Sequence, residues 1–156
     1  MRIALVGFMG AGKTTTGRRL AARSGLPFVD LDALVEAREG SSIPALFAVS
    51  EARFREAERL ALADVIADGD CVLATGGGTP CQAGAMDALM AWGHVVYLEA
   101  PLAVLAERVG EGKGRPVWSE AAERLTLREP VYRLAHQRVD ATRPPEQVVA
   151  AILAAL

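Results

Sequence analysis

The glycine-rich stretch at residues 7–14 constrains the fold more than any other feature of the chain. It matches the pattern G-x-x-x-x-G-K-[ST]. The apolar segment 2–6 precedes it and is typical of a buried parallel strand. Residues 15–23 follow with a helical pattern of apolar and basic side chains. A strand, a glycine loop and a helix in this order predict an α/β domain with an anion site at the loop.

The residue types in this loop suit a polyphosphate. Glycines let backbone N–H groups converge on phosphate oxygens without obstruction by a Cβ atom. The helix that follows adds free N-terminal amides and the positive end of its dipole. We expect Lys13 to reach the β- and γ-phosphates of a nucleotide and the Thr14 hydroxyl to bind Mg²⁺. A chance glycine turn is the alternative, and the flanking strand and helix disfavour it.

Length and composition indicate one globular domain, residues 1–156. Hydrophobic residues make up 51% and charged residues 23% of the chain. The net charge of −2 offers no positive field for nucleic acid, and no apolar run approaches the ~20 residues of a membrane span. Asparagine is absent, which counts against a GTPase because the guanine-reading motif of GTPases resembles Asn-Lys-x-Asp. The chain enters a strand without the regions of a signal peptide, so we expect a cytoplasmic protein.

Short apolar segments alternate with helical patterns along the rest of the chain. This alternation predicts a parallel sheet with helices on both faces. Ligands of such sheets bind beyond the carboxyl ends of the strands. Two cysteines, Cys71 and Cys81, fit no disulfide framework or metal motif and are expected to be small buried thiols.

Acidic residues and glycines follow two of the predicted strands. The second strand ends in Asp30 and Asp32, whose i, i+2 spacing points both side chains the same way if the extended conformation continues. One could organise the water shell of a metal, and the other could accept a proton from an acceptor hydroxyl. Capping of the next helix is the alternative for Asp32. The third strand ends in Gly76-Gly77-Gly78, which is either a flexible turn or a place where a ligand approaches the backbone closely.

Three arginines could contact an anionic substrate, although an arginine considered alone is more often a solvated surface residue than a ligand. Arg55 and Glu58 are i, i+3 neighbours on a predicted helix, whose apolar stripe is Phe54, Ala57, Leu60/Ala61 and Val65. A functional pair would hold the fork of Arg55 toward a substrate carboxylate. Arg115 lies in a glycine-rich segment and suits a cation that is delivered when a lid closes. Arg128 lies in a helix that we expect to be interrupted at Pro130.

Several short motifs follow the loop in a characteristic order. They are Asp30-x-Asp32, Phe54-Arg55-x-x-Glu58, Gly76-Gly77-Gly78, Arg115-Pro116 and Arg128-x-Pro130-x-Tyr132. In this arrangement the whole chain resembles the shikimate kinases, small P-loop kinases of the nucleoside-monophosphate-kinase type. The resemblance implies ATP-dependent phosphorylation of the 3-hydroxyl of shikimate, a step of chorismate and aromatic amino acid biosynthesis. It also implies a three-layer fold with a five-stranded parallel sheet, a substrate-binding subdomain at about 32–60 and a lid at about 110–122.

On the nucleotide side, the resemblance implies that loop residues and two arginines bind ATP. The loop residues concerned are Gly10, Ala11, Gly12, Lys13, Thr14 and Thr15. Arg108 would cover the adenine, and Arg115 would contact the phosphates from the lid. Thr14 and Asp30 would support Mg²⁺.

On the acceptor side, the resemblance implies that Asp32 holds the substrate hydroxyls and acts as the base. Arg55 and Arg128 would clamp the carboxylate of shikimate, and Glu58 would orient Arg55. The triple glycine, Gly76, Gly77 and Gly78, would line the same pocket. The catalytic residues implied in this way are Lys13, Asp32 and Arg115.

Two other functions stay open. Another small P-loop kinase, of the gluconate type, would share Lys13 and Thr14 but need not direct two arginines and a triple glycine at one carboxylate. A nucleotide-binding module without turnover is disfavoured by the intact Lys13, Thr14 and Asp32, while a lid shorter than that of the shikimate kinases keeps it open. We expect a monomer that handles small molecules and has no nucleic acid or membrane partner.

Overall fold

The computed structural model of the chain describes residues 1–110 and 118–156. In these residues one to three helices separate successive strands, and a 3₁₀ turn at Thr79–Cys81 follows the third strand. The bounds are β1 Ile3–Val6, α1 Lys13–Ser24, β2 Phe28–Asp30, α2 Leu31–Glu39, α3 Ile43–Val49, α4 Glu51–Ala67, β3 Val72–Ala74, α5 Ala85–Trp92, β4 His94–Glu99, α6 Leu102–Val109, α7 Trp118–Tyr132, β5 Gln137–Asp140 and α8 Pro145–Ala154.

The strands form one parallel sheet in the order β2-β3-β1-β4-β5. β1 is central, with Ile3 beside Val72 on one side and beside His94 on the other. All four residues of β1 are fully buried. Because successive strand residues face opposite sides of a sheet, both faces of β1 are covered. The predicted five-stranded parallel sheet with helices on both faces is confirmed, and the glycine loop leaves the central strand at its carboxyl end.

The first helix packs closely on the sheet directly after the loop. α1 runs from Lys13 to Ser24 and is capped by Gly25, whose N–H group donates a hydrogen bond to the carbonyl of Ala21. Its inward face includes Gly17, where an added Cβ atom would lie 2.5 Å from the Phe28 ring. This close approach holds the start of α1 against the strands that carry the site.

The backbone after β2 differs from the predicted extended geometry. α2 begins at Leu31, so Asp32 lies in the first turn of a helix. The residue that caps this helix is Asp30, whose Oδ1 accepts a hydrogen bond from the Ala33 N–H group at 3.2 Å. The expectation that both carboxylates continue an extended strand is therefore wrong, as is the alternative that Asp32 is the cap.

Two helices differ from their predicted course. α7 continues through Pro130 and ends at Tyr132, since a proline so near the C-terminal end disturbs only the last turn of a helix. In α4 the predicted apolar stripe is buried except at Leu60, which is 40% exposed, and Glu58 and Leu62 are buried beside it. The buried side of α4 therefore extends to Glu58, whose carboxylate lies inside the protein.

The two thiols are free in the structure. Cys71 is buried, as predicted, whereas Cys81 is partly exposed at the end of the 3₁₀ turn. None of the helices in the described part of the chain combines the length and the apolar character that crossing a membrane requires.

Candidate active site

A cavity of about 610 Å³ opens at the carboxyl ends of β1, β2 and β3. The loop residues predicted to bind ATP, residues 10–15, all line this cavity. The cavity is also lined by five predicted site residues from distant parts of the sequence: Asp30, Asp32, Gly76, Gly77 and Arg108. Gly78 follows Gly77 in the chain, and Arg55 and Arg128 both lie against Gly78. Arg115 and most of the predicted lid lie outside the described residues.

The glycine loop has the geometry of an anion cradle. Gly10 and Gly12 have φ values of 82° and 91°, in the left-handed region that favours glycine. A Cβ atom on Gly10 would lie 2.9 Å from the carbonyl oxygen of Leu105. At the start of α1 no side chain of the described residues caps the helix, so its first N–H groups remain available to an anion. The loop therefore fits the phosphates of a nucleotide.

Lys13 lies folded over this loop. Its Nζ donates hydrogen bonds to the carbonyl oxygens of Gly7 at 2.6 Å and Phe8 at 3.1 Å. Burial lowers the pKa of Lys13 to about 8, partly opposed by the negative charge of Asp32. A phosphate next to this ammonium group would favour its charged form, so Lys13 suits an anionic ligand better than an empty site.

Oxygen ligands for a divalent cation lie beside the loop. The Thr14 hydroxyl donates a hydrogen bond to Oδ2 of Asp30 at 3.3 Å. A hydroxyl and a carboxylate next to a phosphate cradle are the oxygen groups that Mg²⁺ prefers, with phosphate and water completing its shell. Thr14 and Asp30 therefore fit the predicted role in supporting Mg²⁺.

Asp32 occupies the border between the nucleotide cavity and the triple glycine. Its Oδ1 lies 3.0 Å from the position that a Cβ atom on Gly76 would take. Burial raises the pKa of Asp32, and the negative charges of Asp30 and Glu58 raise it further, while Lys13 opposes them. A carboxylate with a raised pKa that faces the phosphate cradle has the chemistry of a general base.

Two guanidinium groups converge on the triple glycine. A Cβ atom on Gly78 would lie 2.7 Å from Nη2 of Arg55 and 2.9 Å from Nη2 of Arg128. Nη1 of Arg128 lies 3.1 Å from the corresponding position on Gly77. Only glycines leave room for both arginines here. The result is a positively charged concavity, which suits a carboxylate that both forks can bind.

A buried carboxylate supports Arg55 from behind. Glu58 is 2% exposed, and its Oε1 accepts a hydrogen bond from Nη1 of Arg55 at 2.8 Å. Nε of Arg55 is buried and has no hydrogen-bond partner within residues 1–110 and 118–156. A buried donor without a partner is unusual, so the guanidinium still has the capacity to bind an acceptor.

Two side chains hold the triple glycine in place, and the sequence alone did not predict this role for either of them. The Tyr132 hydroxyl donates to the carbonyl of Gly77 at 2.5 Å, and Nε2 of Gln82 donates to the carbonyl of Gly78 at 3.0 Å. Tyr132 belongs to a recognisable motif, but no role followed from it, and Gln82 belongs to none. Both fix the peptide planes of the glycines that face the arginines.

Arg108 connects the loop with the last strand. Its guanidinium donates hydrogen bonds to the carbonyls of Gly10 at 3.2 Å and Ala11 at 3.4 Å, and to the carbonyl of Ala141. Arg143 lines the same end of the cavity. Arg143 was not among the predicted site residues, because a lone arginine in a proline-containing turn has no distinguishing pattern.

A central strand that leads into a phosphate cradle, with a carboxylate and paired arginines opposite, defines a P-loop kinase with separate places for nucleotide and acceptor. The family model described as "Shikimate kinase" matches residues 9–156. The chain belongs to the shikimate kinase family. The predicted enzyme class and the predicted cofactors, ATP and Mg²⁺, are thereby confirmed.

Individual relatives agree with the family. A shikimate kinase of Salinibacter ruber is 42% identical over 98% of this chain and 83% of its own length. The structure of the Acinetobacter baumannii shikimate kinase in complex with shikimate has a TM-score of 0.91 and 36% identity, over 97% of this chain and 90% of that one. The Bacteroides thetaiotaomicron shikimate kinase has a TM-score of 0.93 and 33% identity, over 100% and 99% of the two chains.

A more distant likeness concerns the fold alone. A gluconokinase of Sinorhizobium meliloti 1021 has a TM-score of 0.66 and 23% identity, over 98% of this chain and 89% of that one. Both proteins therefore use the same arrangement of strands and helices. Fold similarity at this level does not transfer a substrate, because substrates are chosen by the side chains of the site.

Proposed function

We propose that the chain transfers the γ-phosphoryl group of ATP to the 3-hydroxyl of shikimate, forming shikimate 3-phosphate and ADP for chorismate biosynthesis. The observation that carries the choice of acceptor is the convergence of Arg55 and Arg128 on Gly78. Two arginine forks at one glycine suit a small carboxylate that enters beside the nucleotide cavity. Membership of the shikimate kinase family supports the same acceptor.

The donor is held by the loop and its lysine. Backbone N–H groups of residues 10–15 bind the phosphates, and Lys13 places its ammonium at the β- and γ-phosphates. Thr14 and Asp30 would hold Mg²⁺, which would supply positive charge against the phosphates. Arg108, at the far end of the cavity, covers the adenine. Arg115 contacts the phosphates from a lid at about 110–122, as the resemblance implies.

The acceptor hydroxyl is activated by Asp32. As the hydroxyl oxygen forms its bond to the γ-phosphorus, its proton passes to the Asp32 carboxylate. The bond from the γ-phosphorus to the bridging oxygen breaks, and ADP leaves with the electron pair. Lys13 stabilises the charge that develops on the phosphoryl oxygens. Arg55 and Arg128 fix the ring of the acceptor through its carboxylate, with Gly76, Gly77 and Gly78 as the floor of the pocket.

The wider setting follows from these roles. The chain is one kinase domain, with α2, α3 and α4 forming a substrate-binding subdomain at about 32–60. We expect the chain to act as a monomer. A reaction that consumes ATP and a small acid supports a location in the cytoplasm. It also supports small molecules as partners, rather than nucleic acid or membranes.

A coupled assay of ADP release tests this function. Purified protein with ATP and Mg²⁺ is expected to release ADP when shikimate is added, at a rate on the order of 1–100 s⁻¹. Gluconate in place of shikimate is the control. Turnover with gluconate but not with shikimate would assign the chain to the gluconate-type kinases. Nucleotide binding without turnover on either acid would identify a non-catalytic module.

A further inference from the structure

The carboxylate behind Arg55 is held from two sides. One oxygen of Glu58 accepts the hydrogen bond from Arg55, and the other, Oε2, accepts a hydrogen bond from the hydroxyl of Thr79 at 2.8 Å. Thr79 is completely buried and Glu58 almost so. Since neither group is exposed to bulk water, each depends on the other and on Arg55 for its hydrogen bonds.

Thr79 is itself rigidly placed. It begins the 3₁₀ turn that follows the triple glycine. Its N–H group donates to the carbonyl of Gly76 at 3.2 Å, and its own carbonyl accepts from the N–H group of Gln82 at 3.3 Å. A β-branched side chain also has few rotamers. The hydroxyl is therefore a fixed donor rather than an adaptable one.

The Glu58 carboxylate lies near a second carboxylate, that of Asp32, at Gly76. The position of a Cβ atom on Gly76 would lie 3.0 Å from Oδ1 of Asp32, 3.0 Å from Oγ1 of Thr79 and 3.5 Å from Oε2 of Glu58. Two carboxylates and one hydroxyl thus surround a single glycine. The hydroxyl occupies the Glu58 oxygen on this side, so the other oxygen is directed at Arg55.

We infer that Thr79 is a positioning residue of the acceptor site, whose hydroxyl holds Glu58 so that Arg55 is aimed at the substrate carboxylate. This inference rests on the proposed function, because it assigns Arg55 a carboxylate ligand. Thr79 acts through Glu58 and Arg55 and takes no part in proton transfer. Its removal therefore changes acceptor binding much more than the chemical step.

The test compares Thr79→Val with Thr79→Ser. Valine keeps the shape and removes the hydroxyl, so the Glu58 oxygen loses its donor. We expect the KM for shikimate, and its Kd by calorimetry without nucleotide, to rise about tenfold, as for loss of a hydrogen bond to a buried charged group. We expect kcat and the KM for ATP to change less than about twofold. Bonds to the carboxylate of the acceptor are equally strong in the ground state and in the transition state, so their loss does not slow the chemical step. Serine keeps the hydroxyl and should retain acceptor binding close to that of the unchanged protein.

If the Thr79 side chain served packing alone and its hydroxyl did not matter to Glu58, the opposite order would be expected. Serine removes a buried methyl group and leaves a small cavity, so it would then be the more damaging change, and valine would be nearly neutral. That result would overturn the inference. If Thr79→Val does not fold, as judged by circular dichroism, Thr79→Ala and Thr79→Ser provide the same comparison, because they differ only by the hydroxyl.

A double-variant experiment tests the route through Arg55. In an Arg55→Ala background, Thr79→Val should add less than about twofold to the Kd for shikimate, because the group that Thr79 positions is gone. An equal effect in both backgrounds would overturn the inference. Unchanged protein that turns over shikimate while Thr79→Val behaves identically would overturn the inference alone. Unchanged protein without shikimate-dependent turnover would overturn the proposed function and the inference together.

Discussion

The hydroxyl of Thr14 donates a hydrogen bond to Oδ2 of Asp30 at 3.3 Å. The other oxygen of this carboxylate, Oδ1, accepts from the Ala33 N–H group and caps α2. One side chain therefore has a capping oxygen on one side and, on the other, the oxygen that we propose supports Mg²⁺. The two functions differ in what they require, since a cap needs only an acceptor oxygen and a metal site needs charge.

The first prediction separates these functions. Asp30→Asn keeps a good capping oxygen but removes the charge, so we expect a lower kcat and a higher Mg²⁺ requirement with almost unchanged stability. Asp30→Ala removes both and should also lower the free energy of unfolding by about 1 kcal/mol. Initial rates over a range of Mg²⁺ concentrations and urea unfolding measure the two effects. Equal Mg²⁺ dependence in Asp30→Asn and the unchanged protein would exclude a metal role.

The second prediction concerns the base. Asp32→Ala and the isosteric Asp32→Asn should reduce kcat by about 10²- to 10⁴-fold, the usual loss when a general base is removed. We propose that the loop amides and Lys13 bind the phosphates without Asp32, so the affinity for ATP should remain largely intact. Single-turnover kinetics and calorimetric titration with ATP measure these quantities. Retained turnover in either variant would remove Asp32 as the base.

The third prediction uses two arginines of the same helix. Arg55→Ala should raise the KM for shikimate by about tenfold or more, because a charge-assisted bond to the carboxylate is lost. Arg59→Ala is the matched control, since Arg59 also pairs with a glutamate at i, i+3, Glu56, but both partners are exposed. Such an exposed pair contributes about 0.5 kcal/mol or less. An unchanged KM for shikimate in Arg55→Ala would contradict the clamp.

The fourth prediction concerns the space between the two arginines. Gly78→Ala would place a Cβ atom within 3.0 Å of the guanidinium groups of Arg55 and Arg128, so both must move apart. We expect the KM for shikimate to rise about tenfold, while the backbone at Gly78 remains in a region open to alanine. Gly69→Ala is the control, because no atom lies within 4 Å of its added Cβ. Equal kinetics of the two variants would argue against convergence at Gly78.

The fifth prediction concerns pH. The pKa of Lys13 is lowered to about 8 by burial, and a bound phosphate would raise it. Below this pKa the ammonium is charged, which is the form that we propose binds the phosphates of a nucleotide. As the pH rises from about 7 to about 9.5, the free protein loses the proton and the affinity for ADP should fall, by up to about tenfold per pH unit. Calorimetry in EDTA, so that no metal contributes, should also show proton uptake on binding at the higher pH. An ADP affinity that is independent of pH would contradict this prediction.

Much of the donor site could be predicted from local sequence. The glycine loop requires backbone conformations and close approaches that only glycine tolerates, and Lys13 and Thr14 follow it directly. The alternation of short apolar strands with helices predicted the parallel sheet for an equally local reason, since strands buried on both faces are apolar throughout. Neither inference needed knowledge of distant contacts.

The sequence by itself therefore determined the class of fold, the phosphate loop and the kinds of side chain available to an acceptor. Only the tertiary structure decided which of them meet. Asp30 became the cap because the backbone turns helical at Leu31, and Glu58 became buried because of how α4 is rotated against its neighbours. The meeting of Arg55 from α4 and Arg128 from α7 at Gly78, and the bond from Thr79 to Glu58, depend on packing between elements distant in the chain. Periodicity and short motifs report local backbone requirements, and they carry no information about which face of one helix lies against the end of another strand.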